Sequence, residues 1–346
     1  MKVVLLYDAG ADHWSDADVT AVMVSLRRIG AILRAAGHQV QPVAARPGLA
    51  WVRACQRADL VYNFCEGLEG VSGMEPMLVG ALELTGTPFT GCGARAVTLC
   101  HRKPVVNAWL ASQGLPVPEW VMPRGHGVPA DFPLPAIVKP AAEDASVGID
   151  QGAVVTTRKA LRQRIAALTE QFDDVIVQRY VTGREFNVGI VGTTVLPISE
   201  IDFSAMPADR WNIVSFEAKW EPGSLDDLGS QPVCPAEIPQ ALAKQLETIA
   251  TAAWRAVGGS SYGRVDLRVD ADGAPWVIEV NPNPDLSEDA GLARMARAAG
   301  WTYDELVLGI ANRAVEVASQ AASVRALATG ASSRAERTAR RKATPQ

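Results

Sequence analysis

The chain has 346 residues, of which 48% are hydrophobic, 21% charged and 6% aromatic, with a formal net charge of −5. That length and apolar fraction allow two or three packed units and exclude disordered, collagen-like and disulfide-scaffold classes. Residues 331–346 carry Arg334, Arg337, Arg340, Arg341 and Lys342 against Glu336, a net of +4, which leaves −9 on the rest. A body that acidic argues against nucleic acid as a partner, and the basic end reads as a flexible, solvated tail.

VVLLY (3–7) is a short strand of the buried type, and from Val19 to Ala36 apolar residues recur at helical spacing until Gly37. The apolar start ends at Asp8, too soon for a secretory signal. No run reaches the roughly 18 apolar residues needed to span a membrane, so a cytoplasmic protein with no membrane partner is expected. ADLVYNF (58–64) reads as a strand, MLVGALELTG (77–86) as a helix, PFT (88–90) as a strand and Ala94 to Gly114 as a helix. Strands and helices alternating at these lengths predict a layered α/β unit with a parallel sheet.

The proline-rich stretch 115–135 predicts an extended linker. AIVKP (136–140) and GAVVTT (152–157) read as strands around the loop AAEDASVGIDQ, followed by a helix from Arg158 to Gln171. VIVQRYV (175–181) and two more strands within 182–202 complete a small α+β lobe. Ser204 to Gln231 has little periodicity and is long enough to be a lid. Cysteines at 55, 65, 92, 100 and 234 form no C-x-x-C pair and do not cluster with the histidines at 13, 38, 101 and 126, which predicts reduced thiols and no zinc site. GCGARA (91–96) fits a dinucleotide-binding pattern, but it is not on the first strand and no acid follows at the required distance.

The segment YGRVDLRVDADGAPWVIEVNPNP (262–284) carries the chemistry. Asp272-Gly273 predicts a two-residue hairpin turn with Ala271 opposite Ala274. That register sets Asp266 against Glu279 and Arg264 against Asn281, all four on one face, with Val265, Leu267, Val269, Trp276, Ile278 and Val280 on the other. Two carboxylates facing each other across a ladder repel. A divalent cation reverses the sign, and Asn281 adds a third hard oxygen.

GRVD…VIEVN, preceded by AIVKPAAEDASVG, VQRYVTGREF and FEAKW, resembles the ATP-grasp superfamily and, within it, the D-alanine–D-alanine ligase family. ELTGTPFTGCGARAVTLCHRK followed by GLPVPEW resembles the segment that joins that family's first two domains, and the resemblance spans about residues 60 to 315. It implies a Rossmann-like parallel-sheet domain (1–103), a central ATP-grasp lobe (104–181), a C-terminal lobe with the metal and catalytic residues (182–320) and the tail (321–346). Lys103 and Lys139 match lysines that contact ATP phosphates, and Ser146 and Gly148 match positions in a mobile phosphate-covering loop. Gln178, Arg179 and Val181 fall in the hinge whose backbone reads adenine, Gln178 standing where the family usually has glutamate. Glu185 matches the acid on the ribose hydroxyls, and Ile278 completes the nucleotide-binding set. Lys219 matches a lysine near the transferred phosphate, Arg264 the arginine that stabilises an oxyanion, and Asp266, Glu279 and Asn281 the ligands of Mg²⁺. Two ions sharing Glu279 are expected, with Mn²⁺ as a substitute, in a ligase that makes an amide through an acyl phosphate. The resemblance also implies a homodimer acting on small-molecule carboxylate and amine substrates.

The pattern departs from the family at the substrate end. Ala145 stands in place of a serine that helps hold the lid, Trp220 of a lid tyrosine, Ala290 of a serine that binds the acceptor carboxylate, and Asp285 of a backbone-donating glycine. The N-terminal glutamate that binds an amino group has no clear equivalent, although Asp16 and Asp18 lie in its region. Glu66 and Glu69 occupy the family's substrate loop, where they could bind an amine. Each lost hydrogen bond to a charged group is worth roughly 1.5–3 kcal/mol, so substrates other than two D-alanines are expected. The alternatives are an ordinary cell-wall D-alanine–D-alanine ligase and a nucleotide sensor without turnover.

Overall fold

A computed structural model describes residues 1–10, 16–123 and 127–320. The expectations for the basic tail and for the side chains of Asp16 and Asp18 lie outside what is described. The first unit runs β1 (Lys2–Asp8), α1 (Asp16–Ala35), β2 (Gln39–Ala45), α2 (Ala50–Gln56), β3 (Leu60–Asn63), α3 (Glu75–Thr85), α4 (Ala94–Cys100) and α5 (Lys103–Ser112). Its sheet is parallel in the order β2-β1-β3. The continuous apolar run of β1 is explained by burial on both faces: Val3 and Leu5 pack with Leu26, Ile29 and Leu33 of α1, while Val4 and Leu6 pack with Trp51, Leu78 and Leu82 on the other side.

Two expectations are corrected here. PFT (88–90) is not a strand but a single bridge from Phe89 to Val61. The helix expected from Ala94 to Gly114 is two helices, broken at His101-Arg102. Pro104, in the first turn of α5, cannot accept an upstream helix, and Arg102 leaves the helical region at φ −112°, ψ 88°. The break turns Lys103 inward at the start of α5, where it is buried.

Next come β4 (Trp120–Val121), β5 (Ala136–Pro140), β6 (Val154–Val155), α6 (Arg158–Thr169) and β7 (Val175–Arg179), forming an antiparallel sheet in the order β4-β7-β5-β6. Ala136, Val138, Val175 and Val177 pack on Leu161 and Leu168 of α6. Strand alternation therefore sends Ile137, Lys139, Ile176 and Gln178 to the opposite face.

The third unit contains β8 (Gly183–Val191), β9 (Thr194–Val195), β10 (Ser199–Asp202), α7 (Phe216–Trp220), α8 (Leu225–Leu228), β11 (Gln231–Val233), α9 (Gln240–Val257), β12 (Tyr262–Asp270), β13 (Pro275–Asn281) and α10 (Gly291–Ala298). Its sheet runs β11-β10-β8-β12-β13, with β9 beside β8. Phe186, Val188, Ile190, Val265, Leu267 and Val269 face Leu246, Ala250 and Trp254 of α9. Gly263 is required by this packing, since a Cβ there would lie 2.2 Å from the Trp254 ring. The lid expected to lack regular structure contains α7 and α8, each capped by a serine side chain.

The hairpin register is right at the site and wrong at the turn. Asp266 pairs with Glu279 and Arg264 with Asn281, but Leu267 pairs with Val277 and Val269 with Pro275. The turn is wider than two residues, with Asp270 N–H donating to Ala274 O and Gly273 N–H to Asp270 O. A β-bulge between these two registers restores the pairing expected beyond it. The bulge also changes which residues enter the core. Val277 and Val280 are buried there, whereas Trp276 and Ile278 are not, contrary to the alternation expected.

Candidate nucleotide and metal site

The charged face of the third sheet is assembled by register. On β8, Glu185 and Asn187 lie opposite Arg268 and Asp266 of β12, which in turn lies beside Glu279 and Asn281 of β13. Arg264 grips Asp266 with two bonds, Nε to Oδ1 at 2.7 Å and Nη2 to Oδ2 at 2.9 Å, and Asn187 Nδ2 donates to Oδ1 at 2.8 Å. Burial opposes the charge on Arg264, but the Asp266 and Glu279 carboxylates raise its pKa and hold it charged. Asn281 Oδ1 accepts from Asn283 N–H at 2.9 Å, which fixes the amide with its oxygen placed by the loop.

Glu279 is the centre of the field. Burial alone would raise its carboxyl, yet Lys103, Lys219, Lys139 and Arg264 overcome that and hold it at about 2. Lys103 Nζ lies 3.7 Å from Glu279 Oε1 and 3.4 Å from Asp144 Oδ1, and it also donates to Glu143 O. Its backbone N–H donates to Ala141 O at 2.9 Å, so the start of α5 is tied to loop 141–148 at both ends of the residue. For Mg²⁺, Asp266, Glu279 and Asn281 supply a set of hard oxygens, one of them kept anionic by surrounding cations, and this donor chemistry fits the ion.

Lys139 is buried on the face that the central sheet turns towards these residues. Burial first, then Lys103, lowers its ammonium to about 8, against the pull of Glu279 and Glu185. Folding thus disfavours its proton, so its contribution to stability rises with pH between about 8 and the ordinary lysine value. Its attraction for a phosphate moves the opposite way, full below about 8 and lost above it. ADP affinity measured by titration calorimetry is expected to fall by about tenfold between pH 7 and 9.5 in the wild type. In Lys139→Met the affinity is expected to be low and flat across that range.

Most of the residues assigned to the nucleotide converge, with differences in detail. Glu185 accepts from Arg268 Nε at 3.0 Å, and Arg268 also donates to Val181 O at 2.8 Å and to Asn212 O. Arg268 was not singled out from sequence, although the two-residue period linking Arg264 and Asp266 includes it. Arg179 turns its side chain to Glu119 and over the Trp276 ring, 4.3 Å from the centroid. Ser146 donates to Val214 O at 2.8 Å, and Trp220 Nε1 donates to Ala145 O at 3.2 Å. These bonds join loop 141–148 to the segment 204–231. Ala145 and Ser146 hold φ of 51° and 62°, a left-handed pair without glycine, which is the kind of strain that a packed functional loop sustains.

Lys219, on α7, is exposed to solvent yet lies within electrostatic reach of Glu279, Arg264 and Asp266. Around Glu66, which is exposed to solvent, stand Asp285, Glu75 and Asp144, and crowding by protein followed by these acids raises its carboxyl. Asp285 is occupied locally, accepting from Ser287 N–H at 2.8 Å and Ser287 Oγ at 2.7 Å. A buried cluster missed from sequence sits behind them: His101 Nε2 lies 2.6 Å from Glu75 Oε2, and Asn283 Nδ2 donates to Glu75 Oε1 at 2.8 Å. Its members are separated by up to 208 positions, and no local pattern announces them.

Known proteins similar to this chain in sequence or fold are numerous. A family model described as the D-ala D-ala ligase C-terminus matches residues 110–312. The D-alanine–D-alanine ligase of Gluconobacter oxydans is 32% identical over 280 residues, covering 79% of this chain and 88% of that one. Among solved structures, the D-alanine–D-alanine ligase of Bacillus anthracis complexed with ATP superposes with a TM-score of 0.74 at 21% identity, covering 92% of this chain and 99% of that one. The VanG D-Ala:D-Ser ligase of Enterococcus faecalis gives 0.73 at 19% identity, covering 90% and 99%. These likenesses establish a mixed α/β fold, with one parallel sheet and antiparallel sheets, of the kind found in ATP-grasp ligases.

Proposed function

The chain belongs to the D-alanine–D-alanine ligase family, ATP-grasp enzymes that form a carbon–nitrogen bond, and from that premise we propose that it joins a small carboxylate to a small amine, the pair being something other than two D-alanines. A carboxylate oxygen attacks the γ-phosphorus of ATP and ADP leaves, giving an acyl phosphate. The amine nitrogen then attacks the acyl carbon, phosphate leaves, and the nitrogen gives up a proton. Lys103, Lys139 and Lys219 bind and orient the phosphates, and Arg264 stabilises the negative oxygen that forms at the acyl carbon. Asp266, Glu279 and Asn281 would hold Mg²⁺, which supplies neutralisation of the β- and γ-phosphates.

One observation carries the choice of substrate: the carboxylates of Asp285, Glu75 and Asp144 surround the exposed Glu66 closely enough to act on its charge. A second carboxylate entering there meets acids, so an acceptor with an amine and no free carboxylate beside it fits better. Specific support for the alternative, plain D-alanine–D-alanine synthesis, comes from the names of the relatives alone.

The deciding experiment is ADP release with Mg²⁺-ATP against single and paired D- and L-amino acids and amines lacking a carboxylate, with mass spectrometry of the products. ADP release accompanied by an amide product other than D-Ala-D-Ala is expected. A dominant D-Ala-D-Ala product would overturn the substrate reading and keep the family.

A further inference from the structure

β13 ends at Asn281, and the chain continues as Pro282-Asn283-Pro284. Proline has no N–H and a fixed φ, so Asn283 supplies the single backbone donor of that tripeptide. It gives that hydrogen to Asn281 Oδ1 at 2.9 Å. One lone pair of the Asn281 oxygen is thereby used by the loop, and the other stays available to a cation. The side chain of Asn283 is clamped from three sides. Its Nδ2 donates one hydrogen to Cys65 O at 3.1 Å and the other to Glu75 Oε1 at 2.8 Å, while its Oδ1 accepts from Tyr262 Oη at 2.8 Å. A carboxamide with both ends taken by fixed partners has one orientation.

Cys65 and Glu75 belong to the parallel-sheet unit, just after β3 and at the start of α3, whereas Tyr262 and Asn281 belong to the third unit. Glu75 is 5% exposed and is itself held, with Oε2 2.6 Å from His101 Nε2. Outer partners that orient a metal's ligands influence its affinity nearly as strongly as the ligands do. Resting on the reading of Asp266, Glu279 and Asn281 as the ligands of Mg²⁺, we infer that Asn283 and Glu75 are positioning residues of the metal site. Asn283 fixes the Asn281 oxygen that would meet the ion, and Glu75 fixes Asn283 from the parallel-sheet unit. The metal site is therefore complete only when the first and third units are docked at this contact.

The test is titration calorimetry of the full chain with ADP, in EDTA and at increasing Mg²⁺, which gives the Mg²⁺ concentration at half of the metal's gain in affinity. In Asn283→Ala that concentration is expected to rise about tenfold or more, while ADP affinity in EDTA stays within about twofold of the wild type. Glu75→Ala is expected to do the same. Glu75→Gln loses the same charge but keeps an acceptor for Asn283 Nδ2, and it is expected to stay within about threefold of the wild type. An unchanged Mg²⁺ requirement in Asn283→Ala overturns the proposal. So does an equal loss of ADP affinity in EDTA, which would mark a general loss of structure. A shift in Glu75→Gln as large as that in Glu75→Ala also overturns it, because the effect would then belong to charge. Should Glu75→Ala not fold, Asn283→Ala, at a half-buried position, decides alone. A wild type whose ADP affinity ignores Mg²⁺ overturns the metal reading itself, and this inference with it.

Discussion

Glu279→Gln is expected to abolish the magnesium dependence of nucleotide binding and to lower ADP release by about 10³-fold or more. The reason lies in the charge balance of the cleft. Lys103, Lys139, Lys219 and Arg264 all act on this carboxylate, and together they hold it at about 2 in spite of its burial. Its stabilising charge is therefore complete above the ordinary glutamate range and is lost as pH falls from there towards about 2. Removing it at neutral pH has two opposite consequences. The metal loses its strongest ligand, while the four cations, no longer compensated, attract bare ATP more strongly. Titration with ATP in EDTA and in excess Mg²⁺ separates them. The wild type should bind more tightly with the metal, whereas the variant should bind equally in both or better without it. A variant that still gains affinity from Mg²⁺ would show that Asp266 and Asn281 suffice, and that Glu279 serves mainly to offset the charge of the lysines.

How much of this was legible in the sequence depends on the range of the interaction. The opposition of Asp266 and Glu279 follows from a turn signal and a period of two, and it is correct although the turn is wider than expected. It survives because the wide turn and the bulge are compensating one-residue shifts. The same bulge puts Val277 rather than Trp276 and Ile278 into the core, which alternation cannot foresee. The break before α5 was visible in principle, since Pro104 stands inside the expected helix. Lys103 was assigned by resemblance, and its burial beside Glu279 required a fold that joins residues far apart. His101, Glu75 and Asn283 show the other limit. They meet across three segments, and each alone is an unremarkable polar residue in a loop or helix end. Long-range polar pairs have no periodicity, so a sequence exposes them only through the fold.

The lid gives the second large effect. Asp226 is buried and accepts from Arg210 Nη1 at 2.5 Å, from Gln151 Nε2 at 2.9 Å and from Ser215 Oγ. Burial would raise its carboxyl, but the bonds from Ser215, Gln151 and Arg210 hold it below the ordinary aspartate range. Gln151 follows loop 141–148, so this one carboxylate fastens the segment 204–231 to the central lobe. Asp226→Ala removes the bonds from Ser215, Gln151 and Arg210 together, leaving Arg210 with Glu217 at 3.5 Å and Gln151 with Trp211 O at 3.3 Å. The lid contributes little to the main cores, with Ile213 its buried apolar anchor. The loss is therefore expected to appear as local opening rather than global unfolding. An open lid admits water to an acyl phosphate, so the variant should release ADP with the carboxylate alone, and amide formed per ADP should fall by about tenfold or more. Limited proteolysis should cut within 204–231 in the variant while the melting temperature moves by only a few degrees. Full coupling of ADP release to amide formation in Asp226→Ala would mean that the Trp220–Ala145 and Ser146–Val214 bonds hold the lid shut without the buried carboxylate.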